Sequence, residues 1–172
     1  MPATSGVNRG LQLWVNLAPE DKMTKPTYQE LLAKDVRTAY SPDKKVEVRV
    51  VAGKSYDVES KVYTRTPTMY LDVKMQPDAE YENEVPEDYN GFIYALEGTL
   101  LIGPKEVEAT HGWCAVLDKG KTLKVKSGKD GARFVVIAGK PIGAPVIQYG
   151  PFVMNTQEEI QQAFADYHSG KF

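Results

Sequence analysis

Few side chains in this sequence can do chemistry, and their spacing narrows what that chemistry is. Histidine occurs only at His111 and His168, and cysteine only at Cys114. A site of two or three imidazoles on a first-row metal would need those two distant histidines to converge. Neither has a nucleophile close by in sequence, so a Ser–His or Cys–His arrangement has no local support. Cys114 stands in the apolar run Trp113–Leu117, which predicts a buried, inert thiol. A single cysteine excludes an intrachain disulfide and suits a reducing compartment. The densest acidic run is Asp78, Glu80, Glu82, Glu84, Glu87 and Asp88. Such carboxylates could hold calcium or magnesium. Glu80, Glu82 and Glu84, however, alternate with Tyr81, Asn83 and Val85. If the second set faces inward, the first faces water, where edge charge discourages aggregation. No glycine-rich phosphate loop is present. The residues therefore point to no catalytic group and no metal ligand.

The elements that must position these residues read as strands. Met69, Leu71, Val73 and Met75 alternate with Tyr70, Asp72 and Lys74, the period of a half-buried strand. Pro77-Asp78 turns the chain, and the acidic segment crosses to a strand at Phe92–Glu97 that Gly98 closes. Thr99–Ile102 begins another. Leu11, Leu13, Val15 and Leu17 predict a strand over Gly10–Leu17, and Val46–Ala52 alternates likewise. Thr27 with Glu30 resembles a capping box, predicting a short helix through Leu32. Later strands are expected at Glu106–His111, at Trp113–Leu117, around Leu123 and Val125, and at Arg133–Ala138, the last buried on both faces. Ser127–Gly131 reads as a hairpin-like turn. Pro141–Pro151 should cross a face of the barrel rather than extend a sheet. Thr156 and Glu159 cap a final helix whose stripe is Ile160, Ala163, Phe164 and Tyr167, expected to dock on the barrel.

Size and charge set outer bounds. A chain of 172 residues, 42% apolar and 26% charged, suits one soluble domain with a real core. The net charge of −2 gives no basic footprint for nucleic acid. No apolar run approaches the roughly 20 residues that span a bilayer. Residues 1–9 are small and polar, predict a disordered extension, and lack the apolar core of a secretory signal. The expected location is cytoplasmic, nuclear or both.

Several segments together resemble a known family. GLQLWVNL, VRVVAG, KVYTRTPTMYLD, FIYALEG, RFVVIAGKP and, most specifically, PVIQYGPFVMNTQEEI (Pro145–Ile160) are similar to the second half of pirins, two-domain members of the cupin superfamily. The resemblance covers Gly10–Phe172. It implies an all-β single cupin domain over 10–172, a double-stranded β-helix or jelly-roll barrel with a short N-terminal helix and a C-terminal α-helix. It also implies that the family's metal, usually iron on three histidines and a glutamate, belongs to the other half, so its ligands map onto no residue here. A cofactor is accordingly not expected.

Three functions are compatible with that resemblance. The favoured one is a non-catalytic interaction or regulatory module, since pirins include transcription coregulators and regulators of metabolism. The second is a flavonol (quercetin) dioxygenase, which requires a metal. The third is a metal-free barrel that binds a small molecule, with Tyr70, Met75, Phe92, Tyr94, Trp113 and Arg133 as candidate pocket residues and Arg133 set to meet a carboxylate. A lone barrel of a two-barrel family should also expose an apolar patch. That predicts a homodimer.

Overall fold

The alternating segments form strands because period-two burial lets one face of each supply the core while the other meets solvent. The computed structural model describes residues 10–171; the expected disorder of 1–9 lies outside them. In chain order the strands are β1 (Arg37–Tyr40), β2 (Val46–Ala52), β3 (Lys54–Ser55), β4 (Val58–Glu59), β5 (Thr68–Met75), β6 (Glu80–Glu84), β7 (Asn90–Ile102), β8 (Val107–Thr110), β9 (Cys114–Val116) and β10 (Thr122–Gly139). A hairpin of β11 (Ile147–Tyr149) and β12 (Phe152–Met154) precedes the helix α1 (Gln157–His168). The described residues divide into two compact units, one spanning Met23–Gly143 and the other made of the segments up to Lys22 and from Ala144 onward.

The larger unit is an antiparallel barrel. Its main sheet runs β1-β2-β5-β10-β7-β8, with β6 paired to β10 and β9 to β7. The inner rows follow from register: Val136 lies between Leu71 and Ile93, and Phe134 between Val73 and Ala95. All six are essentially inaccessible to solvent. Burying each of the larger ones contributes about 1.5–3 kcal/mol, so this layer is the main source of the barrel's stability.

Two expected turns are not turns. Gly98 was placed between two strands and Ser127–Gly131 in a hairpin, yet β7 and β10 run straight through both positions. The register between β7 and β10 slips between Ser127 and Ala132, leaving a bulge where each long strand bends. Glycine is required there. Gly98 and Gly131 have φ of +73° and +74°, and a Cβ on Gly98 would sit 2.1 Å from the Gly131 carbonyl oxygen. Ser127 fastens the same corner: its buried hydroxyl accepts from the Ala79 N–H at 2.9 Å and donates to the Gln76 carbonyl at 2.7 Å.

Two N-terminal expectations are also corrected. Thr27–Leu32 is not helical. The side-chain amide of Gln29 donates to the Tyr63 carbonyl at 2.7 Å and accepts from its N–H at 3.0 Å, tying the segment to Tyr63. The helical structure nearest to it is one 3₁₀ turn at Pro19–Asp21. Gly10–Leu17 pairs with no strand among the described residues. Its alternation supplied neither a partner nor a buried face, and Leu11, Trp14 and Val15 are all exposed.

In the smaller unit, Thr156 and Glu159 do form the reciprocal capping box. Ile160 and Ala163 are buried, and Phe164 meets Tyr149 and Phe152 edge-on at 5.5 and 5.0 Å. The helix stripe thus packs on the β11–β12 hairpin, and part of the proline-rich segment is itself a strand of that hairpin rather than plain extended chain.

Gly98→Ala should destabilise the barrel by at least about 2 kcal/mol, because it combines left-handed strain with a backbone collision. Chemical denaturation checks this; a loss within error of zero would show that the corner relaxes freely.

Candidate functional site

The six sequence-predicted pocket residues do not share one cavity. Tyr70, Phe92, Tyr94 and Arg133 are brought together, but on the outer face of β5, β10 and β7. The register there runs Tyr70–Ile137–Phe92 in one row and Asp72–Val135–Tyr94 in the next. Met75 points the other way and is core. Trp113 is 60% exposed, on the turn before β9. Strand parity explains the split, since the small Ala95 and the branched Ile93 take the inward positions of β7. Arg133 does meet a carboxylate, that of Asp72, through bonds of 3.1 Å from Nε and 2.9 Å from Nη2. These hydrogen bonds push the guanidinium pKa above its ordinary value. The pair therefore holds two strands together on the outer face.

The same parity corrects Cys114. It lies opposite Tyr94, on the outward side of β9, and is exposed rather than buried. His111 and His168 each donate from Nδ1 to a backbone carbonyl, of Leu96 at 2.6 Å and of Phe164 at 2.8 Å, and each is exposed. A carbonyl can only accept, so each ring keeps its proton on Nδ1 in this arrangement.

The acidic crossing is the segment where the sequence concentrates oxygen donors that could hold a cation. Here it is β6, and its burial alternates as the sequence predicts: Tyr81, Asn83 and Val85 face inward, Glu80, Glu82 and Glu84 outward. A phenol, a carboxamide and an isopropyl group do not make a site for iron. Among the described residues, no three His, Cys, Asp or Glu side chains converge in a way that could hold a metal ion. The donor chemistry inside this barrel does not fit the group. Outside, Glu82 pairs with Lys124 at 3.0 Å and Glu80 with Lys126 at 3.7 Å across the β6–β10 ladder.

A cavity of about 970 Å3 does open at the barrel mouth, between the β3–β4 hairpin, β6, the loop after it, and the start of β10. None of the six predicted residues lines it. Its floor includes Met69 and two buried polar residues, Ser55 and Asn83. The Ser55 hydroxyl donates to Asn83 Oδ1 at 2.8 Å, and the Asn83 amide donates to the Glu84 carbonyl at 2.8 Å. Sequence reasoning missed Ser55, which sits in the short motif GKSYD (Gly53–Asp57). The available signal was Asn83, a polar residue at an inward position of an alternating strand.

These features can be set beside known proteins. Residues 70–172, more than half the chain, match the Pirin C-terminal cupin domain. This chain belongs to the pirin family. It is 48% identical to a pirin-like protein of Solanum lycopersicum over 99% of its own length and 59% of that protein's. It is 45% identical to human pirin over the same shares. The chain thus spans less than two thirds of these pirins. Among solved structures, a quercetin 2,3-dioxygenase from Acinetobacter baumannii superposes with a TM-score of 0.84 at 31% identity, over 92% of this chain and 55% of that one.

Burial pushes the Tyr81 phenol pKa well above its ordinary value, and burial raises those of Tyr56 and Tyr70 too. The folded pKa exceeds the unfolded one, so the stabilisation is complete below the unfolded value near 10 and declines as pH rises above it. Melts between about pH 8 and 11 should lose stability only in the part above about pH 10, and Tyr81→Phe should lessen that loss without abolishing it. A wild-type profile level across that range would contradict the burial of this phenol.

Proposed function

We propose that this pirin-family chain works by contact rather than turnover, as an interaction or regulatory module in the cytoplasm, the nucleus or both. One observation carries the reading. The inward positions of the crossing are Tyr81, Asn83 and Val85, so the barrel's interior is spent on packing and on an amide. The outer face supplies a surface for contact, with Trp113 60% and Val116 83% exposed. A second copy of the chain is the first partner to test, because exposed apolar groups of this size favour self-association.

A second reading has its own support. The Acinetobacter baumannii protein is named for quercetin dioxygenation, and its fold is close to this one. That chemistry requires a transition metal with an open coordination position. No set of residues in this barrel recommends itself as the holder.

Elemental analysis of the purified chain, paired with oxygen uptake on quercetin, decides between the two. The contact reading expects iron far below stoichiometric and uptake at background. Stoichiometric iron with turnover would replace it with the enzyme. Light scattering at micromolar concentration should give a dimer, and a clean monomer there would remove self-association from the reading.

A further inference from the structure

We propose that the cavity at the barrel mouth is a binding site for a small uncharged polyol, a monosaccharide or cyclitol with neighbouring hydroxyls. The inference is independent of the contact reading, since it needs neither a protein partner nor a metal.

The floor sets the first condition. Ser55 and Asn83 are 1% and 6% exposed, yet they line a cavity rather than a sealed core. Asn83 uses one amide hydrogen on the Glu84 carbonyl and its oxygen on Ser55, so a second N–H remains for a ligand acceptor. An apolar ligand would leave that N–H buried without a partner. The occupant must therefore make hydrogen bonds.

The rim sets the second. Asp57, Glu82, Glu84 and Glu87 line the site beside Lys54 and Lys121, four acidic residues to two basic, with Glu82 already paired to Lys124. An anionic ligand, whether carboxylate or phosphate, meets an excess of its own charge. A polyamine meets the opposite problem, because Lys54 and Lys121 stand within the same walls and Lys121 already pairs with Glu87 at 3.4 Å. A hydroxyl donates and accepts at once, so adjacent hydroxyls suit a rim that carries both acidic and basic residues.

Shape sets the third. The volume of about 970 Å3 falls within the roughly 300–1,000 Å3 of small-molecule sites. Tyr56 forms part of the wall, its φ at +46°. That left-handed backbone is strained for a tyrosine and places the residue at the tip of the hairpin bordering the site. Its ring stands edge-on to Tyr81, 6.1 Å between centroids, and an aromatic residue in the lining suits the C–H side of a sugar ring.

Saturation-transfer NMR on the full chain tests this with glucose, galactose and myo-inositol, using citrate and spermidine as charged probes. At least one of the three polyols should bind, neither charged probe should bind more tightly, and Asn83→Leu should weaken the polyol about tenfold, as loss of a buried hydrogen bond does. Glu84→Ala, an exposed rim change that leaves the core intact, should weaken it several-fold and decides the matter if the Asn83 variant does not fold. Silence from all three polyols, tighter binding of citrate or spermidine, or binding unchanged in Glu84→Ala would each overturn the proposal.

Discussion

The barrel depends on a close approach of two backbones. β7 and β10 are long enough to serve both ends of the structure only if they bend together, and they do so where Gly98 lies against the Gly131 carbonyl. A side chain at that point would force the strands apart. Beyond it, β10 leaves β5 and takes up β6, with Thr122–Lys126 opposite Glu84–Glu80. Because β6 is held by that far half of β10, the bend decides that Tyr81 and Asn83 face inward. Local backbone freedom thus governs the contents of the interior.

Those contents divide in two. Through the middle, Leu71, Val73, Ile93, Phe134 and Val136 fill the space with no polar atom. At the mouth, Ser55 and Asn83 bring hydrogen-bonding groups to the edge of an open cavity. The polar groups lie at the edge of the cavity and not in the middle of the barrel. A shallow polar floor suits reversible recognition better than reactions that need water kept out.

Much of this fold could be read from residue order. The alternation in Val46–Ala52 and Met69–Met75 located β2 and β5 almost to the residue, because one buried face leaves a clear period. The alternation in the acidic crossing located the inward set of β6 for the same reason. Glycine misled at Gly98 and Gly131: a positive φ serves a bulge inside a strand as well as a turn between strands. The candidate pocket was misassigned through parity, since Phe92 and Tyr94 look more like ligand walls than Ile93 and Ala95, and nothing local states which pair faces in. Gly10–Leu17 had the right period and no partner, and a ladder is a property of two segments. Ser55 lay beyond reach for a related reason. Its value comes from Asn83, 28 positions away.

Tyr81 occupies the boundary between the filled and open parts. Its ring packs edge-on against Phe134 on one side, at 6.0 Å, and against Tyr56 on the other, while its hydroxyl lies 3.4 Å from Ser55. It separates the polar mouth from the packed apolar layer beneath it. The depth of the mouth is therefore set at this position, and a smaller residue there would extend the bowl down to Phe134.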